Sequence, residues 1–231
     1  NRPDLNFRGF AGTLVSGRLA VGQAVTAYPS GKKSTIKQIV SFAGEQPSAR
    51  AGEAITLTLN DEIDVSRGDW LVPADETVNL SNRALAYVVW FNDQPLQTGR
   101  LYDLKLATRK SSVSINRLNH KVNINTLAQE AAEQVAMNDI ALVELELTET
   151  LPLDTFRTQP GTGNFILIDR LTNATVAAGL IQNVLAEEKV AASNISAFEL
   201  ELNALIRKHF PHWGAQDVRE LFKAGLDKEE Q

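Results

Sequence analysis

Short apolar runs broken by glycine fill the first third of the chain. GTLVSG (12–17), QAVTAYPSG (23–31), STIKQIVSF (34–42), EAITLTL (53–59) and DWLV (69–72) follow in quick succession. Thr56-Leu57-Thr58-Leu59 alternates with period two, the pattern of a strand with one wet and one buried face. Five or six such strands at short spacing predict a closed antiparallel barrel, which leaves no free edge. This first domain is expected over residues 1–78, with a polar connector, VPADETVNLS, at its end.

A second β set follows. ALAYVVWF (84–91) is almost wholly apolar and reads as a well-buried strand. LYDLKLAT (101–108), SSVSINRL (111–118), KVNIN (121–125), DIALVELELT (139–148), NFILIDR (164–170) and ATVAAGLIQNV (174–184) complete a second barrel over 82–184. LAQEAAEQVA (127–136) fits either one or two helical turns or a polar barrel loop. The expected fold class is therefore mainly β, two tandem antiparallel barrels.

The pattern then changes period. Residues 185–195 read as an Ala- and Glu-rich linker, and 196–231 as a short helical tail. Ser196-Ala-Phe-Glu199 matches a capping box, in which the serine and the glutamate each satisfy a backbone N–H of the first turn. Phe198, Leu202, Leu205 and Ile206 share one helical face, and Pro211 stops the helix near Phe210. Asp217–Ala224 predicts a second short helix with Gly225 as its cap. The tail either packs on its own barrel or anchors another subunit. Phe210, His212 and Trp213 are the anchor candidates, because aromatics around a proline are costly to expose.

Composition narrows the function classes. The 231 residues carry a formal net charge of −5, which disfavours a whole-molecule grip on nucleic acid. There is no cysteine, so thiolate chemistry, disulfides and cysteine metal sites are excluded; a reducing cytosol fits. No apolar run approaches the length of a membrane-spanning helix. The first residue is asparagine rather than methionine, as expected of a piece of a longer protein.

Catalytic constellations are missing from the text. Ser30-Gly31-Lys32-Lys33-Ser34 is the nearest approach to a phosphate loop, but the leading glycine would fall on Thr26, so a hairpin turn is expected. Gly161-Thr-Gly163 has no third glycine and no following helix, and reads as a loop. His209 and His212 are interrupted by Pro211 and have no evident third metal ligand. Asp61/Glu62 and Glu144/Glu146 read as solvated strand edges. No catalytic, cofactor or metal residue is assigned.

One asymmetry stands out. Arg100, Lys105, Arg109, Lys110, Arg117 and Lys121 crowd one segment, and seven acids with no base occupy 122–156. Opposite charges facing across neighbouring strands would explain this. A basic strand end that docks an acidic or nucleotide-bearing partner would also explain it, with Arg109 and Lys110 as candidates.

Resemblance adds to this reading. Gly12, the Ser16-Gly17-Arg18 hairpin, Ala51-Gly52-Glu53 and Ser66-Arg67-Gly68-Asp69 resemble the second domain of elongation factor Tu-class GTPases, and Phe156–Leu180 resembles the third. NRPDLNFRGFAG, DEIDVSRGDWLV and SAFELELNALIRKHFPHWGA are similar to the C-terminal part of the large, GTPase-bearing subunit of bacterial heterodimeric sulfate adenylyltransferases. That resemblance implies a cytoplasmic assembly in which GTP hydrolysis drives adenosine 5′-phosphosulfate synthesis from ATP and sulfate on a smaller catalytic subunit. It implies GTP and magnesium on a GTPase domain whose motifs are not in these 231 residues, so none of its binding residues carries over. The rival reading is a translation-factor fragment binding aminoacyl-tRNA.

Overall fold

The computed structural model describes residues 8–186. The expected tail helices, Phe210, His212, Trp213 and all but the first two residues of the 185–195 linker lie outside the described residues.

The first strands are β1 (Phe10–Thr13), β2 (Arg18–Ala20), β3 (Ala24–Tyr28), β4 (Lys32–Ser41), β5 (Gly44–Gln46), β6 (Ser48–Arg50), β7 (Ala54–Leu59) and β8 (Trp70–Pro73). They pair in the order β1-β7-β4-β3-β8, with β5 on β4 and a separate β2–β6 ribbon, and every pairing is antiparallel. The ribbon sends Leu19 and Ala49 into the core, where they join Val25, Ile36, Ile39, Ile55 and Leu57. The alternation read at 56–59 thus buries Leu57, and its neighbour Ile55 completes the inward row.

The second set is β9 (Leu80–Trp90), β10 (Leu101–Leu106), β11 (Arg109–Val122), β12 (Gln129–Glu130), β13 (Ile140–Pro152), β14 (Asn164–Ile168) and β15 (Thr175–Leu185). The order β10-β14-β15-β9-β13-β11 closes on itself through the β10–β11 pairing, giving a six-strand antiparallel barrel, and β12 adds to the outside of β11. Its own core holds Trp90, Tyr102, Val113, Ile115, Leu145, Leu153 and Leu167. The Trp90 and Tyr102 rings meet edge to face at 5.8 Å.

Two local readings change. β9 begins at Leu80 rather than 84. Ser81, the polar end of the expected connector, is buried in the strand, and its hydroxyl donates to the Leu185 carbonyl at 2.6 Å. β11 is one strand through 109–122 where the sequence suggested two, because bulges near Asn116 and Asn119 shift the alternation.

Of the two alternatives for 127–136, the barrel loop is the one that forms. The Asn123 side chain accepts from the Asn125 and Thr126 N–H groups at 3.0 and 3.1 Å, an alternative to helical bonding that bends the chain into β12. Val135 then drops fully buried into the barrel. Ala and Glu propensity loses there to one buried side chain and a strand pairing.

Candidate functional site

The loop before β8 meets the start of β11, and the two barrels join there. Ser66-Arg67-Gly68-Asp69 forms a tight turn, in which the Ser66 N–H donates to Asp69 Oδ2 at 2.7 Å and the Asp69 N–H returns to the Ser66 carbonyl. Gly68 has φ +96°, and a Cβ on it would stand 2.8 Å from Arg109 Cα. Only glycine permits both that backbone and that approach.

The Arg109 guanidinium then reaches back to Asp69 Oδ1 at 3.3 Å and bonds Glu149 at the far end of β13. Its side chain is 23% exposed and that of Asp69 only 11%. Burial alone would raise the Glu149 pKa. The Arg109 hydrogen bond and charge outweigh it and hold the carboxyl below its ordinary value. A second junction lies at the Gly161 loop, where a Cβ would touch Val15 of the first barrel at 3.5 Å.

The candidate residues therefore separate. Arg109 faces inward as a clasp between barrels. Lys110, its neighbour in sequence, points outward and is exposed, directly opposite Lys105 on β10. Half of the six bases are held in internal pairs: Arg100 with Asp169, Arg109 with Asp69 and Glu149, and Lys121 with Asp139 at 2.8 Å. Arg117 stands across from Glu144 in the register, although Glu144 is held by Arg83 on β9. Asp139 would be raised by burial, but the Lys121 bond and the Ala136 N–H lower it more.

The remaining motifs are structural. Ser30-Gly31-Lys32-Lys33-Ser34 is the β3–β4 hairpin; Lys33 pairs with Thr26, and the Ser34 hydroxyl donates to Asp61 at 2.8 Å. The Gly163 backbone passes so close to Thr155 and Phe156 that a Cβ would lie 2.4 Å from the Phe156 nitrogen, which explains the Gly-Thr-Gly loop by packing. Among the described residues no group of three or more His, Asp or Glu is placed to hold a metal, and no helix is long and apolar enough to cross a membrane.

A cleft of about 210 Å³ opens at one mouth of the second barrel between Trp90, Tyr102, Arg100 and Asp169. Sequence reasoning missed Asp169. Its carboxylate accepts from the Thr172 and Leu171 N–H groups at 2.9 Å each and from Arg100. Those bonds, Thr172 first, hold its pKa down, while burial raises that of Tyr102. The Asp-x-x-Thr spacing of a side-chain-capped turn was the available clue. The cleft holds a locked carboxylate and a neutral phenol, a structural pair rather than an acid–base couple.

The family described as GTP-eEF1A C-terminal domain-like matches residues 83–182, the closed barrel. Sulfate adenylyltransferase subunit 1 of Vibrio atlanticus is 50% identical over 97% of this chain and 47% of its own length. The corresponding protein of Vibrio vulnificus is 52% identical over 96% of this chain, and that of Aliivibrio fischeri 51%. The chain spans about half the length of the curated relatives it matches. Among solved structures, sup35 complexed with GDP superposes with a TM-score of 0.71 at 23% identity, over 76% of this chain and 44% of the other, a likeness of fold alone.

Proposed function

We propose that the chain belongs with sulfate adenylyltransferase subunit 1, to which it is about half identical over nearly all of its length, and that it is the two-barrel part of a GTP-hydrolysing subunit. In this reading the full-length subunit binds GTP and magnesium on a separate domain. A smaller catalytic subunit makes adenosine 5′-phosphosulfate from ATP and sulfate, as part of cytoplasmic sulfate assimilation. The barrels hold the partner and transmit nucleotide state to it, and they do no chemistry themselves.

The observation that carries this reading is identity of about half over nearly all of the chain. The junction geometry supports the relay. An arginine clasped by carboxylates from both barrels fixes their relative orientation, as a rigid relay requires. A translation-factor role has support only at the level of fold.

The test is direct. Isothermal titration of the 231-residue chain with GTP and magnesium should give no micromolar binding, because no segment supplies a phosphate loop's donors at the needed spacing. Size-exclusion chromatography with the smaller subunit should show a complex, and a pyrophosphate-release assay on that complex should show no GTP stimulation. Micromolar GTP binding, or failure to co-elute, overturns the reading.

A further inference from the structure

The outer face of the β10–β11 hairpin carries two lysines that the protein does not neutralise. Lys105 and Lys110 are direct cross-strand partners, both exposed. Like charges placed so weaken a ladder. The arginines around them are engaged: Arg100, Arg109 and Arg170 each hold a carboxylate. Neither lysine makes an ion pair or a side-chain hydrogen bond among the described residues.

The nearest acid along the same face is Asp103, two residues before Lys105. It is already bonded by Arg170 Nε at 2.7 Å, while the other arm of that guanidinium donates to Ser112 at 2.5 Å. On the β14 side, half-buried Ile166 and Ile168 stand opposite Lys105 and Asp103. The face is thus an apolar floor with three cations and one spoken-for carboxylate. It sits on a chain whose net charge is −5.

We propose that this face docks an acidic segment of another protein, with Lys105 and Lys110 as its anchors. A local field opposite in sign to that of the whole molecule steers an acidic partner to one place and repels it elsewhere. The isoleucines give such a partner an apolar contact beside the charges, which an ion pair alone does not provide. A polyphosphate is disfavoured, because nucleic acid binding needs a longer run of cations than three and less overall negative charge. The proposal does not depend on which protein supplies the segment.

The experiment uses the 231-residue chain and a fluorescein-labelled octaglutamate peptide, read by anisotropy in 20 mM and 200 mM NaCl. The unmodified chain should bind at low salt and lose several-fold in affinity at high salt. Lys105→Glu/Lys110→Glu should lose at least ten-fold, and Lys105→Arg/Lys110→Arg should retain binding. The single variant Lys105→Glu should weaken binding yet melt at a slightly higher temperature, since it replaces a repulsive cross-strand pair by an attractive one. That opposition separates a docking role from a structural one. Equal peptide binding by the double charge-reversal variant overturns the proposal. So does a ten-nucleotide oligo-dT that binds the unmodified chain more tightly than the peptide and is lost in the same variant.

Discussion

Replacing Arg109 by alanine should uncouple the two barrels. The substitution strands Asp69, whose side chain is 11% exposed, beside Glu149 at 36%. Breaking a fully buried charge pair costs about 3–5 kcal/mol, and an exposed pair contributes under about 1. The junction lies between these limits, and solvent screening at Glu149 pulls the figure down, so a loss of about 2 kcal/mol is expected. With a urea m-value of about 2 kcal/mol/M, the midpoint falls by about 1 M. Trp70 on β8 reports the first barrel and the fully buried Trp90 on β9 the second. Incorporated 5-fluorotryptophan gives each its own ¹⁹F resonance without removing either ring. The unmodified protein should lose both native signals together, and Arg109→Ala should separate the two transitions. The pH dependence adds an independent check. The folded pKa of Glu149 lies below its ordinary 4.5, so the stabilisation is complete above that value and is lost as pH falls through the folded one. The deficit of Arg109→Ala should therefore shrink in acid below about pH 4.5. Coincident Trp70 and Trp90 transitions in the variant, with a midpoint shift under about 0.3 M, would refute the clasp.

Other substitutions probe the fold that carries it. Gly179→Ala puts a methyl group 2.1 Å from the Phe165 ring and should cost about 3 kcal/mol, read as a fall in the thermal midpoint. Val135→Ala empties a fully buried site in the second core and should cost about 2 kcal/mol by urea titration, lowering the Trp90 midpoint. Ala107 sits in the β10–β11 turn at φ 47°, a conformation that costs a non-glycine residue about 1 kcal/mol, so Ala107→Gly should raise the melting temperature by a few degrees. Asp139→Asn removes a carboxylate whose folded pKa is depressed. Its stabilisation is present above pH 3.8 and lost as pH falls, so the variant should be weaker at neutral pH and converge on the unmodified protein in acid.

The two strand sets were legible because their strands alternate or run apolar and are punctuated at the turns; Ile55 and Leu57 face inward as the text of β7 implies, but the ring expected of the first set does not close by pairing, since its order ends on β1 and β8 and β2–β6 stands apart. What escaped was decided by contacts distant in sequence. Ser81 looks like connector until the Leu185 carbonyl, 104 residues away, accepts its hydroxyl. Residues 127–136 fit a helical turn or a barrel loop equally well in sequence, and the loop wins because Val135 finds the barrel interior. The charged segment at 100–121 shows the same limit at the level of function. Spacing marks Arg109 and Lys110 as one basic site, but adjacent residues of a strand point to opposite sides. The pleat therefore assigns them different tasks, Arg109 to the seam with Asp69 and Glu149, and Lys110 to the outer face with Lys105. A partner that reads this charge from outside can address only the second pair. It follows that neutralising Lys110 should change association without loosening the barrels, and neutralising Arg109 should loosen the barrels while leaving the outer face intact.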